Sequence, residues 1–138
     1  MTVEREFPCK PSSVTAARRF VRELLSEQPR ETSELAELMS SELATNCVQH
    51  ARTPFEISVS VGREIRVEVR DRGAGAPRRL SPAPAQPSGR GLLIVDATAE
   101  RWGVVDQPNG KTVWFTLPVA EPEAPRRGRR RVSSSCHG

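Results

Sequence analysis

The segment Ser41-Glu-Leu-Ala-Thr-Asn-Cys-Val-Gln-His-Ala51 is the stretch on which the fold of this chain turns. Glu42, Asn46 and His50 recur every fourth residue, a spacing that puts three side chains on one face of a helix. Leu35, Met39, Leu43 and Cys47 form the adjacent apolar stripe, so the polar cluster borders the buried face. A carboxylate one turn before a carboxamide supplies two kinds of chemistry: the first can take a proton from an attacking hydroxyl, the second can bind a hard cation through its oxygen. Taken alone, the same pattern also describes a solvated helix face. His50 has no second ligand at metal spacing, so it either caps the helix C-terminus or borders a pocket.

Working outward, Val3 to Phe7 alternates apolar and charged residues, which predicts a short edge strand. After Pro8 and Pro11, Ser12 or Ser13 can cap a first helix carrying Val14, Ala17, Val21, Leu24 and Leu25, which Pro29 ends. Thr32 or Ser33 is the expected cap of the helix that bears Glu42 and Asn46, with Glu34 near its positive end. Phe55 to Val61 and Ile65 to Val69 alternate apolar and polar residues about Gly62-Arg63, the pattern of a hairpin, and Asp71 falls at the end of its second strand. Residues 78–88 contain Pro82, Pro84 and Pro87 and read as a loop that can close as a lid. Leu92 to Ala99 regains helical spacing. Trp102 to Val105 and Lys111 to Leu117 form a second hairpin about Asn109-Gly110. The order strand, two helices, hairpin, helix, hairpin predicts an α+β, two-layer sandwich: a mixed, mostly antiparallel sheet with about three helices on one face.

Two further islands carry chemistry. Asp71-Arg-Gly-Ala-Gly-Ala-Pro77 ends a strand, where a carboxylate can accept a hydrogen bond from a base amino group, and Gly73 and Gly75 allow close approach of a flat ring. An ordinary turn fits the same residues. Gly89-Arg-Gly-Leu-Leu93 precedes a helix, where backbone N–H groups and the helix dipole favour phosphate. Two other glycine motifs fail on spacing. Gly110-Lys-Thr112 resembles the end of a P-loop, but Val105 occupies the position of the required glycine. Gly73-Ala-Gly75 is followed by Arg78 and a Pro-rich loop where a dinucleotide fingerprint needs a third glycine and a helix. Thr112 can reach a base through its hydroxyl or a water, or serves strand propensity alone.

The chain has 138 residues, enough for one domain with a modest core. Its formal charge of +4 is uneven: from Ala120 onward five arginines stand against two glutamates, a net +3, leaving +1 for the remainder. The basic character thus comes mainly from a Pro-, Arg- and Ser-rich segment expected to be disordered, and the folded part has no need of a nucleic-acid partner. Cys9, Cys47 and Cys136 cannot all pair with one another and match no metal spacing. No apolar run reaches the roughly 20 residues of a membrane span, and the start has no signal-peptide form. The expectation is a reduced, cytoplasmic setting.

The three islands, in this order and spacing, resemble the Bergerat-type ATPase superfamily of histidine kinases, DNA gyrase, heat-shock protein 90 and MutL. Within it, Ser41 to Ala51 is most similar to the anti-sigma-factor serine/threonine kinases. The resemblance covers about residues 1–119, leaving 120–138 as a tail. It implies ATP and Mg²⁺ as ligands, with Asn46 holding the metal and Glu42 as general base for a protein hydroxyl. It implies Asp71, Gly73 and Gly75 at adenine, Gly89, Arg90, Gly91 and Leu92 at the phosphate end of the site, His50 at its border and Thr112 beside the base. It further implies a protein partner, a sigma factor or an anti-anti-sigma protein, and a possible homodimer. The chain departs from the pattern in a short, Pro-rich lid without an acidic residue between Pro77 and Arg90, and in its Arg-rich tail. The alternative is a weakly active or inactive ATP-binding module that sequesters a partner. Nucleic-acid binding through the tail is a third reading, weakened by the tail's lack of aromatic residues for base stacking.

Overall fold

The computed structural model describes residues 1–72 and 89–119, of which 89–92 as backbone only. It contains β1 (Thr2–Phe7), α1 (Ser12–Leu24), α2 (Arg30–Asn46) with a π-helical extension (Cys47–Ala51), β2 (Phe55–Val61), β3 (Glu64–Asp71), α3 (Gly89–Thr98), β4 (Arg101–Gln107) and β5 (Gly110–Pro118). The five strands form one sheet in the order β1-β2-β3-β5-β4, antiparallel at every pairing. The expected α+β sandwich is therefore the observed fold, with a sheet antiparallel throughout rather than mixed.

Period-two alternation sends Phe55, Ile57 and Val59 of β2, Ile65, Val67 and Val69 of β3, and Val113, Phe115 and Leu117 of β5 to the helix-covered face, where all are buried. Ala17, Phe20 and Val21 of α1, Ala36, Met39, Leu43 and Ala44 of α2, and Val95 of α3 complete the core. Phe7 joins strand to helix: its ring stacks on Phe55 at 5.2 Å between centroids and meets Phe20 edge-on at 5.7 Å. Arg22 bridges α1 to α2, its guanidinium 3.3 Å from the buried Glu37 carboxylate, which also accepts from the Ser33 hydroxyl at 3.2 Å. The outer face of the sheet is polar, and there Arg66 lies 4.2 Å from the Trp114 ring centroid.

Three boundaries differ from the sequence expectation. α2 starts at Arg30, directly after Pro29 (φ −58°) as N-cap, so Thr32 and Ser33 lie inside the helix and not at its cap. A proline with its φ already fixed suits the entry to a helix, and the Ser33 hydroxyl is engaged by Glu37 one turn on. Ser13 does not cap α1; its hydroxyl donates back to the Pro8 carbonyl at 2.7 Å. α3 begins at Gly89, three residues before the first apolar position of its pattern, so Gly89 to Gly91 form its first turn rather than a preceding loop.

Candidate nucleotide-binding site

The cluster is built where α2 ends. Glu42 and Asn46 remain in regular α-helix, so they stack one turn apart on a single face. Glu42 is half-buried. Asn46 is 8% exposed, and its amide nitrogen has no hydrogen-bond partner among the described residues. Ser40 Oγ and Thr116 Oγ1 are likewise buried without a partner among the described residues, and such an atom is open to a water, an ion or a ligand. After Asn46 the helix widens into the π-helical Cys47–Ala51 turn, which closes at Arg52 in the left-handed conformation (φ 56°). Turns of this kind recur at functional sites. His50 stands in this wider turn and is exposed.

Asp71 lies opposite this helix end. Alternation along β3 carries Val67, Val69 and Asp71 to the helix side, and Asp71 is 9% exposed. Its Oδ1 accepts a hydrogen bond from the Lys111 backbone N–H at 3.2 Å. Gly110 makes this possible: its φ of 151° is hostile to a side chain, and a Cβ there would collide with the Asp71 carbonyl oxygen and lie 2.9 Å from Oδ1. The β3 end is pinned from the other side by the buried Thr53, whose hydroxyl oxygen accepts from the Arg72 N–H at 3.2 Å. Cys47 completes the floor. Burial pushes its thiol up out of the usual range, the negative charge of Asp71 pushes the same way, and the positive charge of Lys111 opposes both.

Thr112 falls outside this cluster. It pairs with Arg70 across β3, and the neighbouring Asp71 points to the opposite face. The Thr112 hydroxyl donates to Gln107 Oε1 at 3.2 Å. The β5 side chain that shares the face of Asp71 is Lys111, one residue earlier, because a shift of one along a strand changes sides. The alternation Lys111, Val113, Phe115, Leu117 was the signal that could have found it. Thr53 and the close approach at Gly110 left no such trace in the sequence. The turn of the last hairpin is Pro108-Asn109, with Gly110 already paired to Gln107.

Gly73 and Gly75 lie outside the described residues, as do the lid and the segment from Ala120. Gly89, Arg90, Gly91 and Leu92 form the first turn of α3, whose N–H groups have no carbonyl within the helix to bond. No helix among the described residues is long and apolar enough to cross a membrane.

A buried carboxamide, a half-buried carboxylate one turn before it and a buried aspartate at a strand end are thus the polar groups of the candidate site. The chain belongs to the histidine kinase-like ATPase domain family, which matches residues 7–117. The RsbU and RsbW domains of Rv1364c from Mycobacterium tuberculosis share its fold, with a TM-score of 0.69 at 16% identity over 88% of this chain and 33% of that one. This chain thus spans about a third of the length of that structure. The catalytic domain of the histidine kinase ThkA aligns over 85% of this chain and 97% of its own, at 17% identity and a TM-score of 0.48. No curated protein matches the chain.

Proposed function

We propose that this chain binds ATP with Mg²⁺ and transfers the γ-phosphoryl group to a serine or threonine of a partner protein, in the manner of an anti-sigma-factor kinase in a partner-switching circuit. The observation that carries the reading is the pairing on α2: Glu42 one turn before a buried Asn46 whose amide nitrogen has no partner among the described residues. Family membership supports the nucleotide, and the fold shared with a chain that includes an RsbW domain supports a protein partner.

Asn46 fits a hard cation, because its carboxamide carries an oxygen ligand and can turn it toward the site by rotation about its terminal bond. Bound there, Mg²⁺ would neutralise phosphate charge. The protein's own part is positioning and proton transfer. Asp71 accepts from the adenine amino group while its other contacts, to the Lys111 N–H and through Gly110, hold it still. The first turn of α3 offers backbone N–H groups to phosphate oxygens. Glu42 takes the proton of the acceptor hydroxyl as its oxygen forms a bond to the γ-phosphorus, and the bond to the β-phosphate oxygen breaks to release ADP.

The test is phosphotransfer from γ-labelled ATP to anti-anti-sigma-type proteins, comparing wild type with Glu42→Ala. The expected outcome is nucleotide affinity within a few-fold of wild type and phosphotransfer lower by roughly 10²–10⁴-fold. Equal phosphotransfer in both would remove Glu42 as the base. Nucleotide binding with no transfer from wild type to any partner would instead assign a sequestering module.

A further inference from the structure

β4 ends the sheet, and among the described residues only β5 pairs with it. The hairpin that joins them turns at Pro108-Asn109, with Gln107 set against Gly110. The pair that closes so short a hairpin is hydrogen-bonded, and bonding then alternates along the strand. Arg101, Gly103, Val105 and Gln107 therefore bond to β5, whereas the backbone N–H and C=O groups of Trp102, Val104 and Asp106 point out of the sheet. The two edges of the sheet differ. β1 carries Glu4, Arg5 and Glu6, charges of the kind that keep a second chain off an edge. β4 has no charge from Trp102 to Val105, and Val104 and Val105 are 41% and 44% exposed. Leu93, 70% exposed, stands three residues before Asp96 on α3, and Asp96 accepts from the Trp102 indole N–H at 2.8 Å. Neighbouring turns of a helix share a face, so Leu93 lies on the β4 side of α3. Of the five large apolar side chains exposed among the described residues, three thus gather at this edge.

An antiparallel strand added here must present outward-pointing backbone groups opposite those of Trp102, Val104 and Asp106. A second β4 does so when a two-fold axis normal to the sheet passes beside Val104. Val104 then faces Val104 of the second copy, Trp102 faces Asp106, Gly103 faces Val105 and Arg101 faces Gln107. The whole strand is overlaid, and no two like charges are opposed. The pairing also fits in shape. The space a side chain at Gly103 would fill is taken by the Trp114 ring, whose indole nitrogen lies 2.8 Å from a Cβ placed there. Val105 of the second copy, opposite Gly103, therefore meets an aromatic ring. We propose that two copies of this chain pair through β4, antiparallel and centred on Val104, so that their sheets become one.

The experiment is sedimentation velocity on the full chain over a concentration series up to roughly 100 µM, a range that populates interfaces of small area. Wild type is expected to form a dimer. Val104→Lys sets like charges against each other on the axis and should raise the dimer dissociation constant by about tenfold or more, with circular dichroism confirming the fold. Register is read by disulfide crosslinking in a Cys9→Ser, Cys136→Ser background. Val104→Cys should crosslink to its own copy readily, and Val105→Cys, which faces Gly103, much more slowly. A chain that stays monomeric throughout, its edge then open to a strand of another protein, overturns the proposal. So does a dimer that Val104→Lys leaves intact, or crosslinking no faster at position 104 than at 105.

Discussion

A buried polar atom without a partner costs a folded chain about 1–3 kcal/mol, and the Asn46 amide bears such a cost at the end of α2. Asn46→Leu should therefore leave the ligand-free protein as stable as wild type, or raise it by up to about 1 kcal/mol, while weakening Mg²⁺-dependent ATP binding by about tenfold or more. Urea denaturation and calorimetric titration read the two sides separately. A variant that unfolds easily yet keeps its affinity would make Asn46 a packing residue. Cys47 offers a second residue-scale check. Its thiol is buried and held protonated by burial and by Asp71, so it should react with a thiol reagent at neutral pH far more slowly than the half-buried Cys9. Mass spectrometry of peptides after limited labelling would show the order, and faster labelling of Cys47 would contradict the packing of α2 against β3.

At the scale of elements, the glycines of the last hairpin bear unequal loads. A methyl group at Gly110 meets the Asp71 backbone in a conformation that disfavours any side chain. Gly110→Ala should destabilise by about 1–3 kcal/mol and weaken nucleotide binding with it, since Asp71 must move. At Gly103 a Cβ would lie 2.8 Å from the Trp114 indole nitrogen. The other partner of that ring is Arg66, so Gly103→Ala is also expected to destabilise by about 1–3 kcal/mol, but without a direct effect on the site. Tryptophan fluorescence and thermal melts follow both. Gly62 has nothing within 4 Å, and Gly62→Ala serves as the control, expected within about 0.5 kcal/mol of wild type.

For the whole molecule, binding and folding are linked. The site draws on α2, β3, β5 and α3, so it exists only when these elements are assembled, and a ligand that binds it stabilises the fold. ATP with Mg²⁺ at a hundred times its dissociation constant should add about 2.7 kcal/mol, which raises the melting temperature by several degrees in a domain of this size. Asp71→Asn should reduce that increment. A melting temperature indifferent to saturating nucleotide would deny the site. The charge distribution bears on the same scale: with most of the net charge beyond Ala120, nucleotide-induced stabilisation should persist when residues 120–138 are removed.

The chain's own residues determined the class of fold and the elements on which the candidate residues Glu42, Asn46 and Asp71 stand. Apolar periodicity of two and of about four, interrupted by proline and glycine, marked every strand and helix, because each element buries one face. Glu42 before Asn46 was legible for the same reason, as both stand in one regular helix, and Asp71 was legible as a polar residue ending an apolar alternation. Other features were decided only in three dimensions. The π-helical turn at Cys47–Ala51, in which His50 is exposed, is announced by no local propensity. The alternation along β5 put Lys111 on the core side, but that it lies against Asp71 depends on the pairing of β3 with β5, which joins residues some 40 positions apart. The need for glycine at 110 comes from the backbone of that same distant strand. Local sequence sets which face an element buries; only strand register and helix packing set which residues from different elements meet there.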